Sequence, residues 1–90
     1  MTIRDVSLET AAFLKDGKFR LKFLKEIARS PKIPSELAYE FNITRVSTSR
    51  ILKDLKRMEL IEAFSSTSRT IVYSITENGK KALEEWVDGN

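Results

Sequence analysis

Neither cysteine nor histidine occurs in this 90-residue chain. Their absence excludes disulfides, zinc sites built on Cys and His, cysteine nucleophiles and every Ser-His triad in one step. Carboxylate chemistry alone remains, and the acidic residues are scattered, most of them at spacings that decorate helix surfaces. An enzyme is therefore not expected, and neither is a metal or a cofactor. Long apolar runs are missing as well. The longest is Ala11-Ala12-Phe13-Leu14, where a membrane-spanning helix needs about 20 residues. Arg4, Asp5 and Glu9 interrupt the first residues before any apolar stretch develops, unlike a secretory signal. No membrane association is expected, and the expected location is cytoplasmic. No internal repeat or low-complexity linker divides the chain, so residues 1–90 are expected to form one small domain.

Apolar residues make up 41% of the chain and charged residues 32%, enough for one compact core under a soluble surface. The net charge is only +3, but it is unevenly placed. Residues 15–30 carry six Lys/Arg against two acids, and residues 44–60 carry five against two, whereas residues 76–90 carry two against four. Positive charge gathered into two segments is what a nucleic-acid footprint looks like. Two ordinary solvated helix faces would give the same tally.

Periodicity places the elements. Residues 7–15 read as a short helix capped by Ser7 and ended by Asp16-Gly17. A second helix is predicted from Lys18 to Ala28, with Phe19, Leu21, Phe23, Leu24, Ile27 and Ala28 at helical spacing. The two prolines of Ser30-Pro31-Lys32-Ile33-Pro34 stop it. Pro34 suits the first position of a third, short helix whose inner side carries Leu37, Ala38 and Phe41. Asn42-Ile43 then makes a turn, and Thr44 caps a longer helix to about Met58 with Thr48, Ile51, Leu52 and Leu55 as its inner stripe. From Leu60 the pattern becomes β: Leu60–Phe64 and Thr70–Ile75 read as strands joined by the polar loop 65–69. Thr76 caps a last helix through Trp86 or Val87, with Gly79, Leu83, Trp86 and Val87 on one face. The expected fold is mainly α with a β-hairpin.

A short helix, a tight turn and a longer helix is the helix-turn-helix, whose second helix enters the major groove of DNA; a hairpin directly after it is the wing. On the outward side of residues 44–58, at 100° per residue, stand Val46, Arg50, Lys53 and Arg57. Ser49 lies on one flank, and Ser47 and Asp54 on the other. Arg can take guanine bidentately, Ser can donate or accept, and the methyls of Val46 can meet a thymine methyl. Thr44 and Arg45, at the amino end, suit a phosphate because free backbone N–H groups point there. Ser35 and Lys32, around the start of the preceding helix, can also reach phosphates. The alternative for each of these cations is a solvated helix surface.

Residues 17–86 resemble a known family, the small winged helix-turn-helix transcriptional regulators of the MarR/ArsR-like kind common in archaea. The resemblance is carried by Pro34-Ser35-Glu36-Leu37-Ala38, Ile43-Thr44, Ser49-Arg50-Ile51-Leu52-Lys53-Asp54-Leu55, Leu60-Ile61 and Tyr73-Ser74-Ile75-Thr76-Glu77-Asn78-Gly79. It implies a winged helix-turn-helix domain that binds double-stranded DNA with the helix at about 44–58 and touches flanking DNA with the wing at about 65–70, where Arg69 would lie. Two positions depart from the family pattern. Ile33 replaces the usual Thr or Ser before the proline, which removes a cap hydroxyl. Glu59 replaces the usual Gly before the Leu-Ile pair, where a left-handed backbone ends the helix.

A homodimer is expected, since one reading helix covers few base pairs. The flanking segments 1–15 and 77–90 supply candidate dimer residues: Leu8, Ala11, Ala12 and Leu14 from the first, Leu83, Trp86 and Val87 from the second. Packing of these two segments on each other within one monomer is the alternative. Nothing in the sequence identifies a small-molecule effector. The competing function is a winged-helix protein-protein adaptor in a transcription or replication complex, which would favour apolar residues on the outward face of 44–58.

Overall fold

In the computed structural model, residues 8–65 and 70–86 are described. Within them the chain runs α1 (Leu8–Asp16), α2 (Arg20–Arg29), α3 (Pro34–Phe41), α4 (Arg45–Arg57), β1 (Ile61–Ser65), β2 (Ile71–Ile75) and α5 (Glu77–Glu85). This is the expected order of helices, hairpin and helix. The proposed cap Ser7 lies outside the described residues. Boundaries shift by a residue or two: α2 begins at Arg20 rather than Lys18, β1 begins at Ile61 because Leu60 belongs to the turn, and α5 stops at Glu85, with Trp86 already extended.

The core forms where apolar stripes meet. Helix α2 supplies Phe23, Leu24 and Ile27, α3 supplies Leu37, α4 supplies Leu52 and Leu55, and Leu60, Ile61 and Ala82 close it from the hairpin and α5. Three rings bind α2 to α3: Phe23 and Phe41 have centroids 5.2 Å apart, and Phe19 lies 5.7 Å from Phe41. Thr48, on the inner stripe of α4, is fully buried yet satisfied, since its hydroxyl donates to the Thr44 carbonyl at 2.9 Å. Two expectations are corrected. Ala28 is exposed rather than inward, and Leu14, assigned to a dimer surface, is buried in the protein's own core. In a domain this small, the few large side chains near the chain ends are needed at home.

The hairpin pairs Ile61 with Ile75, Ala63 with Tyr73 and Ser65 with Ile71 along one face, which is buried at the Ile61 end and exposed at the Ser65–Ile71 end. Lys32 adds a short third rung, its N–H donating to the Tyr73 carbonyl at 3.0 Å and its carbonyl accepting from the Tyr73 N–H at 2.8 Å. This rung ties the entry of α3 to the wing.

The two departures from the family pattern have visible consequences. Without a hydroxyl at Ile33, the start of α3 keeps half of a capping box: the Ile33 N–H donates to the Glu36 carboxylate at 3.0 Å. Glu59 adopts φ 63°, the left-handed conformation that glycine takes without penalty. The Thr76 hydroxyl donates to the Glu59 carbonyl at 2.7 Å and accepts from the Gly79 N–H at 3.0 Å, so one side chain caps α5 and pins the turn after α4. The turn is kept at the cost of a left-handed Glu, on the order of 1 kcal/mol. Glu59→Gly is therefore expected to raise stability by up to about 1 kcal/mol once the extra chain entropy of glycine is deducted. In thermal unfolding that is an increase of roughly 4–8 °C for a domain this size; a lower midpoint would mean that the Glu59 side chain contributes more than its backbone costs.

Candidate nucleic-acid interface

Helix α4 follows a three-residue turn, Asn42 to Thr44, in which Asn42 takes the left-handed conformation that ends α3. Thr44 caps α4 by accepting the Ser47 N–H on its hydroxyl at 3.0 Å. The cap is as expected, with one chemical consequence: the Thr44 oxygen is committed to the backbone. The N–H groups of Arg45 and Val46 are then the ones left facing outward in the first turn.

The stripe opposite Leu52 and Leu55 is open to solvent. Arg45, Val46, Ser47, Ser49, Arg50, Lys53 and Arg57 are all exposed, Val46 by 68%. Arg45, Val46, Ser49, Arg50 and Lys53 line one shallow groove. A second groove joins it, lined by Ile33, Pro34, Ser35, Arg45, Ser49, Thr70 and Ile71. The structure thus brings Ser35 from α3 together with Arg45 and Ser49 from α4 and with the root of the wing. Thr70 and Ile71, at the root of the wing, were not picked out from the sequence as site residues. No sequence signal set Ile71, 45% exposed beside Ser65 at the open end of the hairpin, apart from the other apolar strand residues.

The cations on this surface are not equivalent. Among the described residues, Arg45, Arg50 and Lys53 have no carboxylate within ion-pair distance, whereas Arg57 contacts Asp54 at 2.9 Å. Asp54 does not sit on an open flank as expected. Its side chain is only 20% exposed and also meets Arg20 of α2 at 3.4 Å. Lys32 is half-buried and its ammonium lies 3.8 Å from Glu26. Arg69 and Val87 lie outside the described residues.

Of the candidate dimer residues, Leu8 is 88% exposed and Ala12 is exposed, whereas Leu83 and Trp86 are half-buried against the core. No helix among the described residues is long and apolar enough to cross a membrane, and no group of three or more Asp or Glu there is arranged to hold a metal ion.

A family model described as winged helix-turn-helix matches residues 19–88. No curated protein matches the sequence. Among solved structures, ZitR of Lactococcus lactis in complex with DNA is similar with a TM-score of 0.67 and 23% identity, over 93% of this chain and 54% of ZitR. The adhesin competence repressor AdcR of Streptococcus pyogenes gives 0.69 and 17%, over 86% of this chain and 63% of AdcR. HlyU of Vibrio cholerae gives 0.70 and 21%, over 83% of this chain and 80% of HlyU. The chain spans about half the length of ZitR. At these identities the likeness is one of fold.

Proposed function

Because this chain belongs to the winged helix-turn-helix family, we propose that it is a sequence-specific regulator of transcription that binds double-stranded DNA, with α4 in the major groove and the wing beside it. The observation that carries this reading is the outward face of α4, where Arg45, Arg50 and Lys53 stand exposed among Ser47, Ser49 and Val46 with no ion pair among the described residues. Three cations with no carboxylate partner among the described residues, on 13 residues of helix, create a positive surface suited to a groove of DNA. Arg50, at the middle of the stripe, is assigned to a base edge. Lys53, Arg57 and the wing residue Arg69 are assigned to phosphates, and the groove between Ser35, Arg45, Ser49 and Thr70 to one backbone strand. Thr44 contributes as the cap that presents the first turn of α4.

Within the family, the MarR/ArsR-like motif residues support action as a cytoplasmic homodimer without catalytic activity. Leu8 and Ala12, exposed on one side of α1, and Leu83, Trp86 and Val87 at the other end are the proposed contacts. Tyr39, 90% exposed on α3, and Val46, 68% exposed on α4, are the features that favour the adaptor alternative, but Val46 stands among Arg45, Ser49, Arg50 and Lys53.

Selection of bound sequences from random duplexes tests the proposal. A palindrome with half-sites about 34 Å apart, one turn of DNA, is expected for a dimer. A single short half-site would retain the DNA reading and remove the dimer, and no enrichment at all would favour the adaptor.

A further inference from the structure

Arg20 belongs to α2, outside the reading helix, and among the described residues it makes contacts with three separate segments. Its guanidinium donates to the Phe13 carbonyl at 2.8 Å and lies 4.0 Å from the centre of the Phe13 ring. It also meets Asp54 of α4 at 3.4 Å, with the side chains of both residues only 20% exposed. Its stem lies against Gly17, where a Cβ would collide with the Arg20 side chain. On the other oxygen of the same carboxylate sits Arg57, at 2.9 Å. Two guanidiniums thus share one carboxylate, one from inside and one from the face assigned to DNA.

We propose that Arg20 is a positioning residue for DNA binding: by holding Asp54 from behind, it keeps Arg57 available to a phosphate. This rests on the DNA-binding function proposed above. With Arg57 alone, the carboxylate would form a neutral pair with it, and a phosphate could take Arg57 only by leaving a partly buried anion unpartnered beside DNA. Arg20 also reaches Asp16 at 3.9 Å, but that carboxylate is 84% exposed and its hold is weakened by solvent; the two guanidiniums and the partly buried Asp54 together carry a net charge of +1. Asp54 keeps a partner when Arg57 turns outward. Arg20 touches no DNA itself; it acts through the residue on which it closes.

The test measures binding of the full chain to a mixed-sequence duplex over a range of salt concentrations, with thermal unfolding to establish that each variant is folded. R20Q is expected to weaken binding roughly five- to tenfold near 0.1 M salt and to lower the salt slope by about 1, the signature of one lost phosphate contact. R20K, which keeps the charge in place, should bind almost as the unaltered chain does. Adding D54N to R20Q should restore affinity and slope, because Arg57 is then unclaimed. A merely structural staple predicts otherwise: D54N would not repair it, and R20K would fail like R20Q. Either of those results, or an unchanged slope in folded R20Q, overturns the proposal. If R20Q does not fold, the pair R20K and D54N decides it, with D54N expected to bind at least as tightly as the unaltered chain and a loss in D54N counting against it. An unaltered chain that shows no salt-dependent binding would overturn the DNA function itself, and this inference with it.

Discussion

Arg50→Ala is expected to cost about 1–3 kcal/mol of binding to the selected duplex and to flatten the preference at one base pair. Arg50 stands at the centre of the outward stripe of α4, exposed, one turn from Val46 and adjacent to Lys53 in the same groove. No carboxylate among the described residues restrains it, so its guanidinium keeps its five donors for a partner. A bidentate pair with guanine uses two of them along one plane, and alanine leaves the base edge unpaired in a desolvated groove. The effect should therefore be selective. Affinity for the selected sequence falls, while affinity for an unrelated duplex changes little beyond the loss of one positive charge. Competition binding against single-base variants of the selected site measures this directly. Equal losses on every sequence would move Arg50 to the phosphate group, beside Lys53. Stability should not change, since the side chain leaves the helix surface without packing on it.

Gly79→Ala is expected to be the most damaging small substitution to the fold, in spite of alanine's helix propensity. Gly79 lies in the first turn of α5, buried, where a Cβ would land on the Leu60 carbonyl oxygen and 2.7 Å from Cγ1 of Ile75. The Leu60 carbonyl cannot simply retreat, because it accepts the Thr76 N–H at 3.2 Å. Its neighbour Glu59 is held by the Thr76 hydroxyl. Relief requires α5 to lift from the hairpin, which would expose Ala82 and loosen Ile61. Alanine gains up to about 1 kcal/mol of intrinsic helix propensity, but overpacking of this kind costs about 1–3 kcal/mol, and more against fixed backbone. A net loss of roughly 2 kcal/mol is expected, a large share of the about 5–15 kcal/mol that holds a domain folded. Urea unfolding should show a lower midpoint with an unchanged slope. An unchanged midpoint would mean that α5 already stands off from the Leu60 carbonyl.

The sequence by itself determined the elements and the face of α4 that points outward. Both are local properties. Periodicity of Thr48, Ile51, Leu52 and Leu55 sets one side of a helix, and 100° per residue then sets the opposite side. Thr44, Pro34 and Thr76 announced the helix starts because a cap acts within one turn. The β-branched run at 71–75 identified its strand for the same reason. Tertiary structure alone decided which cations on that face are free. Arg50 and Arg57 look alike along the chain, but Asp54 takes Arg57, and Arg20, 34 residues away in sequence, takes Asp54 from behind. Lys32 likewise meets Glu26, and its backbone pairs with Tyr73, through contacts the sequence did not announce. Leu14 reads like the other apolar residues of α1, yet only the meeting of α1 with the rest of the core shows that it is buried. The difference lies in the range of the forces: hydrogen-bond caps and amphipathic spacing act within a few residues, whereas ion pairs and burial depend on which distant segments the fold brings within a few ångströms.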